Sequence, residues 1–203
     1  MGVDSASVID YFEKCLALHG DDARGVDYNG QQSQYLRFEV LSQVADLTGA
    51  SVLDVGCGLG HFHDFLVLRG IQPRHYRGVD ISPAMIAAAK QARPNLDLEV
   101  EDILTTRGRQ CYDYVICCGV FHLKAKNNDN DWGEFCKAMI ARMYELASQG
   151  VAFNMMTDYV DYRVERLYYA NPLEIFDYCR KLTRRLQLRH DYPLYEFSIY
   201  MYR

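Results

Sequence analysis

Residues 51–60 read Ser-Val-Leu-Asp-Val-Gly-Cys-Gly-Leu-Gly, and they decide the fold. Val52-Leu53-Asp54-Val55 is a short apolar run of strand length that stops at a glycine cluster. Beyond it, Phe62, Phe65, Leu66 and Leu68 recur at helical spacing. A strand, a glycine turn and a helix in succession make the first half of a βαβ unit. Glycine lets the backbone turn tightly and come close to a ligand, and the start of the next helix offers free N–H groups to a polar or anionic group. The third glycine of a dinucleotide loop would fall at residue 61, which is His61; here it arrives one residue early, at Gly60. That spacing argues against a pyrophosphate cradle and for a smaller adenosine ligand.

The same texture continues downstream. Tyr76–Asp80 predicts a second strand, with a helix from Pro83 to Gln91 behind it, and the proline suits a first turn. Leu96–Val100, Tyr112–Cys118 and Gly150–Met155 predict three further strands, with a helix over Trp132–Ala147. A helix over Leu173–Leu186 then leads to Gln187–His190 and Glu196–Tyr202, two strands separated by a Tyr-Pro turn that should pair antiparallel at one edge. Upstream, Val8, Tyr11, Phe12, Cys15 and Leu16 mark one helix and Tyr35, Phe38, Leu41, Val44 and Ala45 a second, joined by the polar stretch 21–30. Alternating strands and helices imply right-handed crossovers and a doubly wound, mostly parallel α/β sheet. We expect a single domain over 1–203, with 1–48 as an N-terminal helical lid and 49–203 as the α/β core.

Composition supports one packed domain. The 203 residues are 49% apolar and 24% charged, enough apolar material for a core without disulfide or metal staples. Seven cysteines, an odd number with no Cys-x-x-Cys pair, indicate thiols in a reducing compartment. The first ten residues have no basic start of a secretory signal, and no apolar run is long enough to span a bilayer. The expected home is the cytoplasm, with no membrane partner. A net charge of −5 favours a small-molecule partner over nucleic acid.

Ligand-compatible residues stand at four successive strand ends. Asp80 closes the second strand 24 residues past Gly56, where a carboxylate can accept from both ribose hydroxyls. Glu101-Asp102-Ile103 follows the third strand: Asp102 could accept from an adenine amino group, and Ile103 could cover the ring. The fourth strand ends in Cys118-Gly119-Val120-Phe121-His122, and its glycine lets backbone approach a ligand. Open α/β sheets bind ligands along this edge.

Through VLDVGCGLGHF, YRGVDISPAMIAAAK, VEDIL and YDYVICCGVFHL, over residues 50–123, the sequence resembles the class I S-adenosylmethionine-dependent methyltransferase family. The resemblance implies a seven-stranded sheet with the last strand antiparallel and S-adenosylmethionine as cofactor. It implies that Asp54, Gly56, Cys57, Gly58 and Gly60 meet the methionyl portion. Asp80 and Ile81 would meet the ribose, Asp102 and Ile103 the adenine, and Cys118 and Gly119 the sulfur end. N-terminal helices commonly fold over the cofactor in this family. Arg37 would then either clamp the methionyl carboxylate in bidentate fashion or lie on a solvated helix face.

Methyl transfer from a sulfonium asks mainly for alignment and exclusion of water. Asn154 and the loop 156–162 leave the fifth strand: Asn154 supplies donor and acceptor, Asp158 could bind a cationic amine, and Tyr159 or Tyr162 could stack on a cation. The alternative is a polar connection whose tyrosines pack on the sheet edge. His122 would serve as a base or as a packed or solvated histidine. No Asn/Asp-Pro-Pro-aromatic tetrapeptide occurs to hold a planar exocyclic amine, and no Pro-Cys dipeptide occurs for covalent attack on a pyrimidine, so Cys117 and Cys118 read as buried structural thiols. His61 and His63 do not share a helical face, and no metal is expected. Arg180, Lys181, Arg184, Arg185 and Arg189 form a basic cluster, an anion-docking or a solvated helix face.

The sequence therefore points to transfer of a methyl group from S-adenosylmethionine to an oxygen or nitrogen of a small metabolite, by a monomer or homodimer. The alternatives are an azetidine-synthase-like cyclase that releases methylthioadenosine, a tRNA-directed methyltransferase, and a non-catalytic cofactor-binding domain.

Overall fold

The computed structural model describes residues 2–106, 108 and 111–203. Seven strands, β1 (Ser51–Val55), β2 (His75–Asp80), β3 (Asp97–Val100), β4 (Tyr112–Cys117), β5 (Ala147–Met156), β6 (Arg185–Arg189) and β7 (Glu196–Tyr202), form one sheet in the order β3-β2-β1-β4-β5-β7-β6. β7 runs antiparallel to both of its neighbours, β5 and β6, and the other pairs are parallel. The helices are α1 (Ser5–His19), α2 (Gln31–Ser42), α3 (His61–Leu68), α4 (Pro83–Ala92), α5 (Asp129–Leu146) and α6 (Pro172–Leu182), with a 3₁₀ turn at Ala23–Val26. No helix among the described residues is long and apolar enough to cross a membrane.

The period-2 alternation of strand side chains sorts the core into two layers. Val52, Ile116, Ala152 and Tyr200 face one side, where Phe38 and Leu41 of α2 and Phe62, Phe65 and Leu66 of α3 cover them. Leu53, Val115, Val151, Phe153 and Ile199 face the other, under Trp132, Cys136 and Ile140 of α5 and Ile175 and Cys179 of α6. Local chemistry sets the helix starts. Ser82 caps α4 by accepting from Met85 N at 3.2 Å, with Pro83 at the first position, and Asn171 caps α6 by accepting from Leu173 N and Glu174 N.

One sequence expectation changes here. The helix expected over Leu173–Leu186 stops at Leu182, because Thr183 is extended (φ −149°, ψ 157°) and its hydroxyl donates to Tyr202 O at 2.7 Å. Leu186 therefore lies in β6, and the basic cluster does not share one helical face. Arg180 pairs with Asp177 on α6, while Arg189 pairs with Asp191 at the end of β6. Ahead of β1, α2 packs Phe38 and Leu41 in the helical layer on the sheet, and residues of α1, of 26–28 and of α2 line the cavity at the strand ends.

Phe65 is fully buried, with ring centroids 5.4 Å from Tyr35 and 5.7 Å from Phe38. Phe65→Ala should cost about 3–5 kcal/mol. A denaturant midpoint unchanged from wild type would show that this layer is not a stability-bearing core.

Candidate functional site

The strand order reverses between β1 and β4, the switch point at which an open α/β sheet leaves a crevice. Register brings the ends level: Val55 pairs with Val79 on one side and Cys117 on the other, and Cys117 pairs with Phe153. Over these ends lies a cavity of about 720 Å³. Asp54, Gly56, Cys57, Gly58, Asp80, Ile81, Asp102, Ile103, Cys118, Gly119 and His122 line it, so the expected residues of four strand ends meet on one wall. α1 and α5 also line it, with the apolar side chains of Val8, Ile9 and Phe12 and of Trp132, Phe135 and Met139 beside the acids Asp131 and Glu134. The Trp132 indole donates to Phe121 O at 3.0 Å and fixes the start of α5 against the segment after β4.

Two glycines are required by this geometry. Gly56 has φ +71°, and a Cβ there would run into the Val120 side chain. Gly119 has φ +79°, and a Cβ there would run into the Tyr28 hydroxyl. The loops after β1 and β4 thus touch each other, and any side chain would fill the crevice or push the loops apart. Gly60 is also left-handed and caps α3, but it does not line the cavity.

Asp80 accepts from Gly58 N at 3.0 Å and from Ser82 N at 2.9 Å, so its carboxylate is aimed by the glycine loop and by the start of α4. Burial raises its pKa, and the N–H donors of Ser82, Gly58 and Ile81 oppose that shift. Acceptor positions remain on both oxygens for ribose hydroxyls. Asp54 is buried and accepts from the Tyr76 hydroxyl. Burial pushes its carboxyl up to about 7 against that donation, and the charge of Asp80 adds to the rise. Two buried carboxyls with raised pKa values beside a glycine cradle fit a ligand that carries hydroxyls and positive charge, as S-adenosylmethionine does. When bound, that cofactor would be held by Asp80 at its ribose and by Asp54 and the glycine loop at its cationic tail.

Besides Gly60, four expected residues, Arg37, Asn154, Asp158 and Tyr159, stand outside the lining. Arg37 does not line the cavity: its Nε donates to Glu196 Oε1 at 2.9 Å, its Nη2 also donates to Glu196, and its Nη1 donates to Ser33 O at 2.8 Å. Asp158 accepts from Asn171 Nδ2 at 3.1 Å, and Tyr159 is 55% exposed and packs on His190 at 5.6 Å; neither reaches the cavity. The loop after β5 is turned away because Asp158 N donates to Ala170 O and Ala170 N donates to Met156 O. Asn154 is only 1% exposed and works from behind the wall: its Oδ1 accepts from Gly119 N at 2.9 Å and its Nδ2 donates to Glu196 Oε2 at 2.7 Å. Alternation along β5 explains this, since Asn154 shares the face of Ala152, which α2 covers.

The sequence reading missed Tyr28 and Glu196. Tyr28 lines the cavity, shares a 3.3 Å hydrogen bond with Cys118 Sγ and lies under the Arg37 guanidinium at 4.9 Å. An acid at the first position of a strand that is otherwise buried was the available signal for Glu196.

If a cationic ligand sits beside Asp54, its carboxyl must lose a proton on binding. S-adenosylmethionine affinity should therefore rise as pH goes from 6 to 8, with proton uptake by buffer visible in calorimetry. A Kd flat across that range would remove Asp54 from the site. Asp80→Asn should weaken binding by about tenfold or more while the far-ultraviolet spectrum stays unchanged.

Residues 52–150 match the family model described as a methyltransferase domain. A putative methyltransferase of Mycobacterium tuberculosis is 36% identical over 155 residues, which span 73% of this chain and 90% of that protein. The magnesium protoporphyrin IX methyltransferase of Synechocystis PCC 6803, solved with bound S-adenosylmethionine, superposes with a TM-score of 0.69 at 20% identity over 98% of this chain and 97% of that one. The N-methyltransferase NodS of Bradyrhizobium japonicum, solved with S-adenosylhomocysteine, gives 0.68 at 16% identity over 97% and 98%. With the glycine rim built as its sequence requires and these likenesses beside it, the chain belongs to the class I S-adenosylmethionine-dependent methyltransferases, with S-adenosylmethionine as its cofactor.

Proposed function

We propose that the enzyme methylates an oxygen or nitrogen of a small metabolite, and that His122 takes the acceptor's proton. The observation that carries this is a cavity of about 720 Å³, which reaches from the cofactor rim to aromatic side chains of α1 and α5 and has His122 in its lining. A volume in the range of ligand pockets holds the cofactor with a small acceptor beside it, not a macromolecular face. S-adenosylmethionine, when bound, supplies a methyl carbon on a sulfonium, whose carbon–sulfur bond breaks as the acceptor attacks.

The chain's own groups do the rest. Phe12, Trp132 and Phe135 exclude water and align the acceptor's apolar body. Burial holds His122 below its ordinary pKa, Glu196 opposes that shift, and Arg37 adds to it. A neutral imidazole at physiological pH can accept a proton from a hydroxyl or an ammonium. Asn154, Asp158 and Tyr159, on which a cyclase reading would rest, lie outside the cavity lining, so methyl transfer is the better supported reaction.

Purified enzyme given S-adenosylmethionine and a panel of small alcohols, phenols and amines should form S-adenosylhomocysteine and one methylated product, read by mass spectrometry. Methylthioadenosine released without any acceptor would sink the proposal. With that acceptor in hand, His122→Asn should lower turnover by about a hundredfold. Protonation inactivates the base and its pKa is lowered, so the acid limb of the wild-type profile should fall below the ordinary histidine range. An acid limb unchanged in the variant would assign the proton to another group.

A further inference from the structure

His122 Nε2 is buried and has no hydrogen-bond partner among the described residues. The charge facing it is Glu196 Oε2 at 3.9 Å, within ion-pair reach but longer than a hydrogen bond. That carboxylate is nearly immobile: its side chain is 3% exposed, Arg37 donates to it from Nε and Nη2, and Asn154 donates from Nδ2. A carboxylate offers about four acceptor positions. Three N–H donors are in place here: Nη2 donates to Oε1, Asn154 Nδ2 donates to Oε2, and the Arg37 Nε–H is shared between Oε1 at 2.9 Å and Oε2 at 3.1 Å, so Oε2, the oxygen that faces the imidazole, holds one full donor and one shared donor.

We propose that Glu196 is a positioning residue for the methyl transfer: it accepts the Nε2–H of His122, fixes the ring's tautomer and plane, and leaves Nδ1 as the nitrogen that meets the acceptor. The inference rests on the reading of His122 as the proton acceptor. The proton leaves the acceptor's O–H or N–H and arrives at Nδ1, while Glu196 stays a carboxylate throughout. A small rotation of the ring closes the 3.9 Å gap and satisfies an otherwise orphaned buried nitrogen. Histidines whose second nitrogen is held by a carboxylate are oriented and made more basic in this way.

The charges that act on the ring come from β7 and α2. Glu196 on β7 favours the imidazolium, and Arg37 on α2 disfavours it. Cys118, just after β4, is pushed up to about 12 by burial, and burial also holds the Tyr28 and Tyr192 hydroxyls above their ordinary values. None of these three gives up a proton near neutrality, so Glu196 is left as the anion that favours the imidazolium.

The test uses ¹⁵N-labelled enzyme saturated with S-adenosylhomocysteine, and it needs no acceptor. The His122 imidazole should show a protonated Nε2 and an unprotonated Nδ1 at pH 7.5. In Glu196→Gln the His122 titration should move to lower pH, because the charge that favoured the imidazolium is gone. Turnover with the acceptor should fall by about tenfold or more, a larger factor than any weakening of S-adenosylhomocysteine binding. Should Glu196→Gln leave the Arg37 charge too exposed to fold, Arg37→Met combined with Glu196→Gln removes both charges and carries the same readouts. An Nδ1–H tautomer in the wild type, or a His122 titration unmoved in both variants, overturns the inference. Full turnover by His122→Asn would instead strike the reading of His122 as the base and leave the tautomer result standing.

Discussion

Pairing of β1 with β4 in parallel, Val55 beside Cys117, is the constraint from which the site follows. It sets two strand-to-helix turns side by side at the point where the strand order reverses. Both turns must bend back at the same level, and both solve this with a left-handed glycine, Gly56 and Gly119. Val120 rests against the first glycine and Tyr28 against the second, so the crevice walls are packed to contact before any ligand arrives. The carboxyls of Asp54 and Asp80 are carried to the same rim, where burial raises both pKa values. A protein that keeps two acids in that condition is arranged for a ligand that supplies the missing donors and positive charge.

Behind this rim stands a second constraint, the buried Arg37–Glu196 pair. Replacing such a pair with apolar residues often costs nothing, whereas removing one partner leaves a buried charge uncompensated. What the pair adds here is geometric. It ties α2 to β7, fixes the Asn154 amide through Nδ2 and so aims Asn154 Oδ1 at the Gly119 amide. The backbone of the ligand-facing turn is therefore held from the far side of the sheet by a charge pair that touches no ligand itself. Tyr28 couples to the same pair through its ring and to Cys118 through its hydroxyl.

The sequence carried the sheet because its signals are local. Val52–Val55 before the glycines, Asp80 at a strand end and Pro83 behind Ser82 each state a position without reference to the rest of the chain. Strand ends that align in sequence logic also align in space, since parallel pairing forces a common level. The acceptor side was less legible. Asn154 has the right chemistry at a strand end, but which face it takes depends on the side-chain parity of β5 against β7 and on α2 lying over that face. Arg37 and Glu196 are 159 residues apart, and no local pattern announces their pairing. Asp158 and Tyr159 leave the cavity through backbone bonds to Ala170, a contact invisible before the loop is folded.

The cover over the cavity follows from the same physics. Only Val8 of α1 is buried, against five residues of α2. The segment before α2 is fastened largely by polar contacts. Ser82 Oγ donates to Glu13, Arg93 Nη1 donates to Asp21, His61 Nε2 stands 2.8 Å from the same carboxylate, and Asn127 bonds the Asp4 backbone. Such partly exposed pairs contribute about 0–1 kcal/mol each, far less than the buried layer beneath α2. Displacing α1 would disturb fewer buried apolar residues than displacing α2. The N-terminal region is thus held in two ways: α2 by its buried layer and the Arg37–Glu196 pair, and α1 largely by polar contacts at its edges.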